Sequence, residues 1–204
     1  LDSIVETAVE WFAPYADILT VIGYGNHETA IIKWQETDIL QRFVDLLNLN
    51  CHSNVQTGGY GGWLIVKIMK HNKAFPFKIK YFHGSGGGGV VTKGALNLTR
   101  ALEMYEGFDV FTMGHIHENS CRNDVRDTLI YLTKNGYKVE HKYLHSMITG
   151  TYKEEYQEGA YGWHVERAAP VKPLGGRILD LNIERKQKDG QDFSTKIIDS
   201  RRFI

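Results

Sequence analysis

Three times in this chain a strand-sized apolar run stops at imidazole or amide side chains set beside a glycine. The first cluster is Gly25-Asn26-His27-Glu28, after Ile18-Leu19-Thr20-Val21-Ile22. The second is His83-Gly84, closing residues 75–82, and the third is Gly114-His115-Ile116-His117, after residues 108–113. In layered α/β proteins, ligands bind beyond the carboxyl ends of strands, where loops converge. The pattern predicts such a fold, with its polar chemistry at the strand ends.

The segments between the clusters agree with this. Ser3 and Glu6 read as a capping box for a first helix through Ile4, Val5, Ala8, Val9 and Phe12, stopped by Pro14. Residues 17–23 read as a strand buried on both faces, and residues 38–49 as a second helix with a broad apolar stripe. Residues 63–70 and 75–82 alternate with period two and join around His71-Asn72-Lys73. Lys78 and Lys80, set between Phe77, Ile79 and Tyr81, predict one wetter face on the second of these strands. The glycine-rich residues 84–89 lead into a third helix through Ala95, Leu98, Ala101, Leu102 and Tyr105. Beyond residue 113 the chain reads as β: 129–133, a turn at Asn135-Gly136, 137–143, 147–151, and a hairpin around Asp189-Gly190. Periodicity dissolves over residues 152–173. With no repeat and no low-complexity linker, one domain over residues 1–204 is expected.

Composition removes several functions. The formal net charge is zero over 204 residues, which argues against a passive nucleic-acid binder held by a broad basic surface. No apolar run has the length of a membrane span and no signal-peptide layout opens the chain, so a cytoplasmic protein is expected. Cys51 and Cys121 lack metal-motif spacing and read as buried thiols. The 84–89 stretch lacks the Gly-Lys-Ser/Thr ending of a P-loop, which leaves close backbone approach to a ligand or a plain connection.

The three clusters suit a metal. Residues two apart in an extended segment point to the same side, so His115 and His117 can face one pocket. Neutral imidazole binds divalent transition metals, and an amide oxygen suits a harder ion. A lone histidine is more often structural, which is the reading for His52, His71, His141, His145 and His164. The ordered set carries the weight.

That set, over residues 17–117, resembles the last three signature blocks of the calcineurin-like metallophosphoesterase superfamily. The resemblance implies an α+β fold, a four-layer α/β/β/α sandwich of two mixed sheets, here without its N-terminal strands. It implies two divalent metal ions, Mn²⁺ first with Fe or Zn as alternatives, and hydrolysis of phosphate esters. Asn26, His83 and His115 would bind one ion, His117 the other, and His27 would assist the leaving group. Glu28 and Gly84 would lie beside the ligands or the substrate.

The family's two upstream blocks, Asp-x-His and Gly-Asp-x-x-Asp, do not occur in this sequence. The chain opens with Leu1 and enters a helix at once, so those blocks are expected upstream, and this chain alone is expected to be inactive. A degenerate member of the family is the alternative. Among activities, a phosphodiesterase or nuclease acting on DNA or a nucleotide is favoured. The Gly-His-x-His block fits those branches better than the protein phosphatases. Residues 152–173 add Tyr152, Tyr156, Tyr161 and Trp163, with Lys153 and Arg167, as a specificity loop able to stack bases. A phosphomonoesterase or protein phosphatase and a non-catalytic binding module are the alternatives. A homodimer stays open.

Overall fold

The computed structural model describes residues 1–70, 72–132, 136–154, 156, 157, 159, 162–188 and 191–203. His71, Asn135, Asp189-Gly190 and Tyr161, each part of an expectation above, lie outside the described residues, as do the side chains of Trp163 and His164. The chain forms two compact units, Leu1–Gly62 and Trp63–Ile204.

In the first unit, α1 (Asp2–Phe12) runs into a 3-10 turn, Ala13–Tyr15, where Pro14 cannot continue an α-helix. The helix starts at Asp2, so Ser3 lies inside its first turn and the expected capping box is not formed. The strand expected over residues 17–23 shrinks to β1 (Val21–Ile22), paired in parallel with β2 (Gln56–Thr57). Ile18 is 78% exposed, so the run is not buried on both faces. Between these strands lie α2 (Asn26–Gln35) and α3 (Ile39–Cys51). Asp38 caps α3 by accepting the Gln41 N–H at 2.9 Å. Its other oxygen receives the Tyr24 hydroxyl at 2.5 Å. Burial, and then that carboxylate, push the Tyr24 phenol up to about 12. Val5, Val9, Phe43, Val44, Leu47 and Val55 form the core.

The second unit is built on a five-stranded mixed sheet in the order β3-β4-β5-β7-β6. Its strands are β3 (Gly61–Lys70), β4 (Lys73–Phe82), β5 (Val110–Met113), β6 (Ser120–Leu132) and β7 (Gly136–Ile148). β4, β5 and β7 run parallel, while β6 pairs antiparallel with β7. Alternation along β5 divides the core. Phe111 and Met113 meet Leu98, Ala101 and Leu102 of α4 (Ala95–Met104), whereas Val110 joins Ile79, Met147, Leu179, Leu181 and Ile198. The last three belong to the hairpin β8 (Gly176–Lys188) and β9 (Gln191–Phe203), which therefore packs on the face opposite α4.

Four further expectations are corrected. Lys80 is only 7% exposed, so its face of β4 is not wet at that point. The ammonium lies 4.3 Å from the Tyr105 ring centre and 5.3 Å from that of Trp63, and burial lowers its pKa. β6 begins at Ser120, nine residues before the strand expected at 129, because its first half alternates charged side chains instead of apolar ones. The segments 137–143 and 147–151 belong largely to one strand, β7. Cys121, on the outer strand β6, is exposed and Cys51 is half-buried, so neither is a buried thiol. No helix among the described residues is long and apolar enough to cross a membrane.

Candidate functional site

The carboxyl ends of β4, β5 and β7 stand side by side, because these strands pair in parallel with Phe82 opposite Met113 and Met113 opposite Ile148. Past β4 come His83 and Gly84; past β5, Gly114 to His117; past β7, Thr149 to Thr151. His83 Nε2 lies 3.2 Å from His115 Nδ1, with ring centres 5.1 Å apart at 64°. Two of the three clusters read from the sequence thus meet.

The backbone explains the closeness. Gly84 has φ 103°, and a Cβ there would stand 2.7 Å from the Gly114 carbonyl oxygen and 3.0 Å from His115 Cβ. Only glycine fits. The Gly114 N–H donates to the His83 carbonyl at 3.0 Å, and the Ile116 N–H donates to the Gly114 carbonyl at 2.7 Å, closing a tight turn. Ile116 is buried in the α4 core, and a Cβ on Gly88 would stand 2.4 Å from its Cγ2. The glycine stretch therefore passes directly over the residue that separates the two histidines.

His115 and His117 both adopt left-handed backbone angles, φ 66° and 60°. Residues with a Cβ rarely do so, at a cost of about 1–3 kcal/mol each. Such strain persists where surrounding structure over-determines it, and it concentrates at functional sites.

Asn26 and His27 open α2 in the first unit, and both side chains are exposed. Expected in a loop beyond a strand, this cluster instead forms the first turn of a helix. Glu28 accepts the Gly25 N–H at 2.8 Å, the third-position carboxylate reaching back to the capping residue. That contact gives Glu28 a structural task at the helix start.

The sequence reading missed part of the surroundings. The third strand end, Thr149 to Thr151, brings the Thr149 N–H to the Met113 carbonyl at 2.9 Å. The stop of the apolar pair Met147-Ile148 at Thr149-Gly150 was the available signal. Within residues 152–173, Tyr152 and Tyr156 are exposed, α5 (Trp163–Glu166) is one short turn, and Lys172 pairs with Glu118 at 2.7 Å. Lys78 stands about 16 Å of strand before His83. Its N–H bonds Asp109 there, and Lys80 is buried against Trp63 and Tyr105. Of the histidines read as structural, His52 ends α3, His141 faces Asp127 at 3.4 Å, and His145 is buried in a polar network.

The donor set gives a direct test of fit for a metal. Among the described residues, no three His, Cys, Asp or Glu side chains form a group able to hold an ion. Protein metal sites ordinarily use three or four such ligands. The His83–His115 pair fits the imidazole part of a set and does not complete one. No family model matches this chain, and neither a curated protein nor a solved structure matches it significantly.

Proposed function

We propose that this chain carries the imidazole side of a dinuclear metallophosphoesterase site and serves hydrolysis of phosphate esters, with phosphodiesters preferred. The supporting observation is the 3.2 Å approach of His83 to His115 at the carboxyl ends of neighbouring parallel strands. The strained turn that also carries His117 adds to it. His83 and His115 would hold one ion and His117 another, with Mn²⁺ favoured over Fe or Zn. Such ions, when bound, supply Lewis-acid stabilisation of charge on the phosphate oxygens. The same reading takes β8 and β9 as part of the second sheet in a four-layer α/β/β/α sandwich.

The chain's own chemistry on this reading is proton transfer and placement. On the resemblance, His27, exposed on the first turn of α2, would assist departure of the leaving oxygen. Exposed Tyr152 and Tyr156 offer faces on which a base can stack, which favours a nucleotide or DNA diester over a phosphopeptide. The bridging carboxylates lie outside the described donor set, so turnover requires donors beyond it. That same absence favours, as a second reading, a binding module without catalysis.

The experiment is a substrate panel on the gene product that contains this chain, with Mn²⁺ present. An aryl phosphodiester and single-stranded DNA are expected to be cleaved faster than a phosphoserine peptide. His27→Ala is expected to lower turnover about 10²–10⁴-fold while metal content stays unchanged. A clear preference for the phosphopeptide contradicts the diester assignment, and loss of an ion in His27→Ala contradicts the role given to His27.

A further inference from the structure

Directly after His117 the chain is fastened twice. Lys172 Nζ donates to Glu118 Oε1 at 2.7 Å, with the lysine 12% and the glutamate 13% exposed. Asn119 Oδ1 accepts from Arg177 Nη1 at 2.7 Å, and its Nδ2 donates to the Gly176 carbonyl at 3.3 Å. The segment that receives them is itself fixed to the end of β7. The Thr151 N–H donates to the Pro173 carbonyl at 3.1 Å, and the Gly175 N–H donates to the Thr151 carbonyl at 2.7 Å. A Cβ on Gly150 would stand 2.5 Å from the Pro173 oxygen and 2.6 Å from that of Gly175.

Arg177 carries the anchoring inward. Its Nη2 lies 3.1 Å from Ser200 Oγ, which meets His145 Nε2 at 2.8 Å, while His145 Nδ1 lies 2.6 Å from Asn123 Oδ1. The order serine, histidine, amide is that of a nucleophile, its base and an orienting group. Here, however, Ser200 sits opposite Leu179, on the face of the β8–β9 hairpin that packs against the five-stranded sheet. Its Oγ is shared between imidazole and guanidinium, and His145 is buried. The line is a strut. Arg177 Nε is buried with no hydrogen-bond partner among the described residues, a cost a fold carries where the rest of the guanidinium is needed in place.

We propose that Glu118 and Asn119 are positioning residues of the histidine turn: gripped by Lys172 and Arg177, they hold His115 and His117 in left-handed angles and keep His115 against His83. A strained conformer needs constraint on both sides. Gly84, Gly114 and buried Ile116 supply it before His117, and Glu118 with Asn119 supply it after. The inference takes from the hydrolase reading only what the turn is for; the grip itself stands on the contacts.

The test uses the full chain with Glu118→Ala, Lys172→Ala, and the exchange of the two charges in a Glu118→Lys, Lys172→Glu double variant. Hydrogen exchange of the Ile116 amide and the imidazole resonances of His83 and His115 are followed, with the buried Phe111 amide as a report on global folding. Either single variant is expected to speed Ile116 exchange about tenfold or more. The His115 resonances shift, Phe111 is unchanged, and the double variant restores both signals. Unchanged Ile116 exchange and His115 resonances, or an equal rise at Phe111, overturns the proposal. Zn²⁺ titration of wild type against His115→Ala reports on the hydrolase reading alone: equal binding removes that reading and leaves the readouts of the grip unaffected.

Discussion

Gly84 decides whether the two histidines can meet at all. Its φ of 103° is open only to glycine, and the space a Cβ would take is held by the Gly114 carbonyl and by His115 itself. Gly84→Ala is expected to cost about 1–3 kcal/mol of stability, the range for strain at a special backbone position. It should also abolish the close contact between the His83 and His115 rings. Thermal unfolding measures the first effect, and the loss of ring-to-ring nuclear Overhauser effects measures the second. At this scale the sequence was informative about chemistry and silent about conformation. Imidazoles beside glycines at strand ends could be read directly. The left-handed angles of His115 and His117 could not, because they come from the grip on Glu118 and Asn119, whose partners lie more than fifty residues away. Lys80 was misread for a related reason. Its alternation with apolar neighbours signals a polar face, but Trp63 and Tyr105 cover it.

His145 joins three elements, meeting Ser200 of β9 from its place on β7 and Asn123 of β6 on its other side. With Asn123 Oδ1 as an acceptor, Nδ1 carries the proton and Nε2 accepts from the Ser200 hydroxyl, so the neutral ring satisfies both contacts. Burial, and then the Arg177 guanidinium, lower its pKa from 6.5, while Asp199 acts weakly the other way. The folded state thus binds this proton less readily than the unfolded chain does. The resulting stability is fully present above about pH 6.5 and is lost as pH falls through the lower folded value. Wild type is expected to be more stable than His145→Gln at pH 7.5, with the gap shrinking steadily toward pH 5; urea unfolding of both proteins across that range measures it. Among whole elements, α3 and α4 were readable because each carries a broad apolar stripe that is buried. α2 was not, because it buries no residue and so leaves no stripe to find. β6 was half-missed because its first half alternates charge, with Arg122, Asp124 and Arg126 on one face.

At the scale of the molecule, a mixed α/β architecture follows from strand-sized runs alternating with amphipathic stretches, and that much was readable from sequence. The order β3-β4-β5-β7-β6 was not, since no local signal tells Val110 of β5 that its partner is His145 of β7. This order sets the ends of β4 and β5 beside each other and brings His83 to His115. On the proposed function these imidazoles bind a catalytic metal, and the sharpest test is calorimetric titration of Mn²⁺ and Zn²⁺ into this chain, comparing wild type with His83→Ala, His115→Ala and His27→Ala. With two imidazoles and no third His, Cys, Asp or Glu donor grouped with them among the described residues, binding should be weak and limited to a single ion. That binding should vanish in His83→Ala and His115→Ala and persist in His27→Ala. Metal binding that survives both His83→Ala and His115→Ala would rule these imidazoles out as the ligands.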